Sequence, residues 1–131
     1  MNSPLLLPLP LPFWVALGAI LGALSRYYLA RVCIQRWGGS FPFGTFLINL
    51  SGACLMGFCA TVLQATSVTT ALHGLVVVGF LGAYTTFSTY ALDASNLLRQ
   101  GNRKRVLLYG LGSPIAGFLG VELGIGLAQQ L

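Results

Sequence analysis

Residues 79–94 read GFLGAYTTFSTYALDA, and the fold turns on them. They lie inside residues 73–98, a segment apolar enough to cross a bilayer; a crossing takes roughly 20 such residues. Yet Gly79 and Gly82 are followed by Thr85, Thr86, Phe87, Ser88, Thr89 and Tyr90, a run with weak helix propensity. Its hydroxyls also offer the backbone alternative hydrogen bonds. A break near the middle of this helix is therefore expected. Broken backbone at membrane depth survives only where protein buries it or it lines a cavity. Carbonyls freed at such a break suit a hard cation. Phe87 and Tyr90, three residues apart, can share a face, and Asp93 follows one turn later, nearer the end of the span.

Three more segments have the length and character of spans: residues 13–32, 43–64 and 106–128. The chain has 131 residues, of which 56% are hydrophobic and 7% charged. A soluble domain carries about 25% charged residues, so the solvent for most of this chain is lipid. The expectation is an all-α integral membrane protein. Residues 1–131 form one domain of four transmembrane helices with no room for a soluble module. The N-terminal MNSPLLLPLPLPFW is apolar but rich in proline, which blocks helix interiors. The first span is therefore expected to start after Pro12. No positive charge precedes Arg26, as a cleaved leader would require, so this stretch is expected to be retained.

The net charge of +5 does not indicate nucleic-acid binding, because the basic residues sit at the ends of spans. Cys33, Cys54 and Cys59 show no CxxC spacing and read as small apolar fillers.

Polar residues at membrane depth carry the information, since each is costly unless paired or wet. In the first span Gly18 and Gly22 form a GxxxG pair, which permits close helix contact. Arg26 follows; it either snorkels to the interface or presents a charge that draws anions into a vestibule. In the second span Thr45, Asn49 and Gly52 share a helix face. Asn49 either joins two helices or offers two N–H donors to an ion. In the fourth span Tyr109, Ser113 and Gly117 fall at steps of four, and Pro114 would free the carbonyl of Gly110. Gly120 and Gly124 form a second GxxxG. Glu122 lies near the far end of this span, and nothing in the sequence explains it.

Together these are hydrogen-bond donors and aromatic edges, the positive side of the ring quadrupole. The set suits an anion and lacks the acidic ring of a cation pore. It contains no nucleophile–base pair, metal-ligand cluster or glycine-rich phosphate loop, and the lone His73 sits at the edge of a span. An enzyme is not expected.

Three strings make a resemblance specific: GALSRY in the first span, GTFLINLSG in the second and GFLGAYTTFSTYALD in the third. The chain resembles the CrcB/Fluc fluoride channel family over nearly its whole length. That resemblance implies a passive, fluoride-selective channel of the inner (plasma) membrane that protects against fluoride toxicity. It implies antiparallel dimers with two pores and a structural sodium ion bound by backbone carbonyls of Gly82 and Thr85. Phe87 and Tyr90 would meet fluoride with their ring edges. Thr45, Asn49, Ser88, Thr89, Tyr109 and Ser113 would form the rest of the fluoride pore, with Arg26 at a vestibule. The chain departs from the family pattern at Tyr90, commonly Phe, at Gly117, where a hydroxyl is expected, and at Asp93, commonly Glu. Two other readings fit four spans of this length: a small proton-coupled drug or cation exporter, and a non-conducting membrane assembly subunit. An exporter would need a carboxylate embedded in the membrane, and the first span has none.

The charges also bear on orientation. Arg31 and Arg36 flank the first loop, and Arg99, Arg103, Lys104 and Arg105 flank the third. Both loops fall on one side, which the positive-inside rule assigns to the cytoplasm. A chain that inserts both ways should be balanced. The partner in a dimer is thus either a second copy or a homologous subunit of opposite orientation.

Overall fold

The computed structural model describes residues 9–131; the expectation for the N-terminal stretch before them lies outside the described residues. Helix α1 spans Leu11–Trp37 and α2 spans Phe43–Ala65. The third span is built in pieces: α3 (Thr70–His73), a π-helix π1 (Gly74–Leu81), α4 (Gly82–Tyr84) and α5 (Phe87–Arg99). Helix α6 spans Arg103–Ala128. Four helical stretches of 27, 23, 30 and 26 residues are long and apolar enough to cross a membrane. Even the shortest rises about 35 Å at 1.5 Å per residue, more than a hydrocarbon core of about 30 Å.

The first span begins at Leu11, ahead of the expected start, with Pro12 in its first turn. Proline is tolerated there because the first-turn N–H has no intrahelical partner. The span also continues past residue 32 to Trp37, ending at Gly38, whose φ of 74° suits glycine.

The expected break falls at Thr85 and Thr86, both extended, with φ/ψ of −75°/155° and −150°/120°. The eight-residue π-helix ahead of it is a feature that the sequence did not signal. Side chains cap the starts of α3, α5 and α6. Thr69 accepts from the Leu72 amide, Thr86 from Thr89 and Asn102 from Arg105, each at 3.3 Å.

Two helix pairs carry the packing: α2 lies along α6, and α1 lies along π1 and α4. Both close through glycine notches, the device that lets backbones approach in lipid. Gly18 and Gly22 face the backbones of Leu75 and Phe80, while Gly79 faces Val15. Gly57 faces Val121, and Gly124 faces Cys54 and Phe58. Most large apolar side chains point outward, as a lipid solvent requires; Leu108, Leu111 and Phe118 are examples. The loops at 38–42 and 100–102 share one end, where the Arg105 guanidinium donates to the Ser40 carbonyl at 2.9 Å.

Gly124→Val should lower the thermal midpoint in detergent, because its side chain would overlap the Cys54 carbonyl. Overpacking of this kind costs about 1–3 kcal/mol. Gly126→Ala, with nothing within 4 Å of the added carbon, should leave the midpoint unchanged. Equal stability of the two variants would contradict the α2–α6 contact.

Candidate functional site

The break creates backbone groups that have lost their helical partners, and one side chain answers for two of them. The Asn49 amide donates from Nδ2 to the Thr86 carbonyl at 2.8 Å and accepts from the Thr86 N–H at Oδ1, also at 2.8 Å. Both partners are backbone atoms, so the orientation of the amide is fixed by chemistry. One N–H of Nδ2 is left over.

This capture has a consequence for neighbouring carbonyls. In a continuous helix the Thr86 N–H would serve the Gly82 carbonyl, but it goes to Asn49. The Thr89 N–H would serve the Thr85 carbonyl, but it goes to the Thr86 hydroxyl. Gly82 and Thr85 thus keep carbonyls deprived of their helical donors on either side of the break. Thr85 itself is held by its N–H and hydroxyl, both donating to the Leu81 carbonyl at 3.1 and 3.0 Å. Gly52 lies against the Thr85 methyl, where a side-chain carbon would overlap it. Next to it, the Ser51 and Tyr84 hydroxyls pair at 2.9 Å.

Beyond the break, three aromatic rings run in series from α5 to α6. Phe87 and Tyr90 have ring centroids 5.6 Å apart, and Tyr90 and Tyr109 5.3 Å apart. Tyr109 is buried, whereas Phe87 is 79% exposed. The Tyr90 hydroxyl donates to the Gly110 carbonyl at 2.6 Å. Phe41 meets the Tyr109 ring edge-on at 5.7 Å.

Arg26 stands in a half-open cleft of about 390 Å³ with Thr45, Thr86, Ser88 and Thr89. A second hollow, of about 290 Å³, shares Thr45 and Thr89 and opens past Phe41, Asp93, Asn96 and Gln100 toward the basic loops. The structure therefore gathers Arg26, Thr45, Ser88 and Thr89 into one run of polar surface. Asn49 lies at its edge through Thr86. Ser113 sits one turn along α6 from Tyr109, its hydroxyl buried and without a partner among the described residues.

Asp93, which the sequence placed toward the end of the third span without naming a partner for it, has two in the structure. Its Oδ2 accepts from the Thr45 hydroxyl at 2.6 Å and the Tyr109 hydroxyl at 3.4 Å. Two of the expected pore donors thus converge on a carboxylate. A helical wheel offered a signal: Thr89 and Asp93 are four apart and share a face of α5. Nothing in the sequence showed that α2 would bring Thr45 to that face.

The family model described as "CrcB-like protein, Camphor Resistance (CrcB)" matches residues 13–125. A Synechococcus protein named fluoride-specific ion channel FluC is 51% identical, over 92% of this chain and 94% of its own length. Proteins of the same name from Trichormus variabilis and Aquifex aeolicus are 48% and 38% identical, over 90% and 91% of this chain and 88% and 97% of their own lengths.

Asn49→Ala should orphan the Thr86 N–H and carbonyl, at about 1–3 kcal/mol for each buried group. Hydrogen exchange at the Thr86 amide should accelerate by about tenfold or more, the equivalent of roughly 1.4 kcal/mol. Asn49→Asp keeps the acceptor and loses the donor, so it should fall between. Unchanged protection in Asn49→Ala would contradict the anchoring role.

Proposed function

This chain belongs to the CrcB family, and from that membership and the geometry of the break we infer that it is a fluoride-specific ion channel. The observation that carries the reading is the run of donors beside the break: the Arg26 guanidinium, the Ser88 and Thr89 hydroxyls and the spare Asn49 N–H. Fluoride is small and holds its water tightly. A pore that strips that water must replace it with several donors at short range. A larger, weakly hydrated halide gains less from the same donors, which supplies selectivity. The Arg26 charge raises the local anion concentration at the cleft. The edges of Phe87 and Tyr90 offer the positive side of the ring quadrupole next along the path. Thr45, Tyr109 and Ser113 extend the polar surface into the neighbouring hollow and along α6. Hydrogen fluoride crosses a membrane uncharged and ionises in a near-neutral cytoplasm. A passive channel then lets the trapped anion leave down its electrochemical gradient, so the proposed site of action is the inner (plasma) membrane.

We propose further that a structural sodium ion is held by the Gly82 and Thr85 carbonyls, the two whose helical donors are diverted. A hard cation takes oxygen ligands of this kind at helix breaks, and it would hold the two halves of the third span in register.

The channel is proposed to work as an antiparallel dimer. Phe87, Ser88 and Thr89 are exposed at membrane depth in a single chain, and hydroxyls facing hydrocarbon are costly. A partner seated on that face closes the path. Arg26, Arg31, Arg36, Arg99, Arg103, Lys104 and Arg105 account for all 7 basic side chains. All of them lie in α1, α5 or α6, on or toward the end where Arg105 meets Ser40. That end is cytoplasmic by the positive-inside rule, with both termini outside. The antiparallel partner is therefore proposed to be a homologous subunit with the opposite charge bias.

Purified protein in liposomes, alone or with that partner, should release fluoride and retain chloride. Phe87→Ile should cut fluoride efflux by about tenfold, the kinetic weight of roughly 1.4 kcal/mol, while gel filtration stays unchanged. Replacing sodium with a bulky organic cation should also slow efflux. Release no faster than from empty liposomes would sink the channel reading, and efflux indifferent to sodium would sink the ion.

Labelling a C-terminal cysteine tag on intact cells should find one external population. Two equal populations, with fluoride efflux from this chain alone, would instead establish a homodimer.

A further inference from the structure

Pro114 lies inside α6. Its ring nitrogen has no hydrogen, so the carbonyl four residues earlier, that of Gly110, receives no helical donor. A carbonyl left bare in hydrocarbon is costly, and beside an anion path it is also repulsive, because its oxygen carries negative partial charge. The Tyr90 hydroxyl reaches across from α5 and donates to that oxygen at 2.6 Å, at the short end of the range for O–H···O bonds. The same bond fixes the Tyr90 ring between Phe87 and Tyr109, at 5.6 and 5.3 Å.

We propose that the Tyr90 hydroxyl is a positioning group for permeation: it caps the acceptor that Pro114 exposes, so the passing anion meets ring edges and donors instead of a bare carbonyl. This rests on the fluoride-channel reading above. Tyr90 and Pro114 form a matched pair on this account: the proline makes the hydroxyl necessary, and without the proline the hydroxyl can be spared. Phenylalanine at position 90 would supply the same ring edge but leave the Gly110 oxygen uncovered. A hydroxyl that merely joined α5 to α6 would matter for stability and not for which anion passes, which separates the two roles.

The test is a double-variant cycle in liposomes, reading fluoride efflux and the fluoride-to-chloride ratio. Tyr90→Phe should lower both by about fivefold, the weight of one neutral hydrogen bond. Pro114→Ala alone should stay within about twofold of the parent, since its new N–H serves the same carbonyl. The double variant, Tyr90→Phe with Pro114→Ala, should recover the flux and selectivity of the parent. A ¹³C label on the Gly110 carbonyl should show its infrared band rise in Tyr90→Phe and fall back in the double variant. A conducting parent whose selectivity is untouched by Tyr90→Phe overturns the proposal, as does failure of Pro114→Ala to rescue it. If Tyr90→Phe does not assemble, the double variant is compared with Pro114→Ala; equal selectivity supports the proposal and lower selectivity overturns it. A parent without fluoride flux, both alone and with its homologous partner, sinks the channel reading itself, and the carbonyl band still reports whether the cap exists.

Discussion

A bilayer core offers no water to an unpaired amide, so every backbone polar group inside it needs a partner within the protein. Most of this chain meets that requirement by being helical. The third span departs from it at Thr85 and Thr86, and much of the surrounding structure answers that departure. Asn49 takes both polar groups of Thr86, the Thr86 hydroxyl caps the next helix, and Thr85 turns its own hydroxyl back to Leu81. Gly52 gives α2 the room to lie beside the Thr85 methyl. The notches on α1 and α2 hold the two helix pairs close enough for these bonds to form. Remove the break and Asn49 becomes an uncompensated amide in hydrocarbon; remove Asn49 and Thr86 becomes an orphan.

The accounting of donors and acceptors has a direction that matters for an anion. Satisfying the break consumes acceptors as well as donors. The polar surface left over is dominated by N–H, O–H and aromatic edges, with the guanidinium of Arg26 at its rim. The exceptions are the Gly82 and Thr85 carbonyls, which the proposed sodium ion would take up, and Asp93. Its carboxylate draws in the hydroxyls of Thr45 and Tyr109, so the chain alone directs two potential fluoride donors at a competing acceptor. Helix α6 repeats the logic of the break on a smaller scale. Pro114 unmakes one bond, and a side chain from another helix makes it again.

The break was legible in the chain because helix propensity is local: glycine, threonine and serine in succession weaken a helix wherever they occur. The four spans were legible from apolar run length, and the GxxxG pairs from spacing alone. Pro114 likewise announced a freed carbonyl at Gly110, since the i−4 relation is fixed by helix geometry. The start of α1 was placed late because proline was weighed as a breaker, whereas in a first turn it costs no hydrogen bond. The π-helix left no trace in the sequence, because Gly74–Leu81 is an ordinary apolar run and its winding depends on what packs against it.

What the sequence determined by itself was therefore whatever depends on neighbours along the chain: spans, break, glycine notches and the one-sided placement of basic residues. Only the tertiary structure decided which polar side chain answers which orphan. Asn49 and Thr86 are 37 residues apart, Thr45 and Asp93 48 apart, and Tyr90 and Gly110 20 apart. Each pair is chemically reasonable, and so are many others among the same hydroxyls, amides and carbonyls. The choice among them follows from which helix faces meet. Glycine notches and close backbone packing set that, and no local pattern of residues encodes the distance between two separate helices.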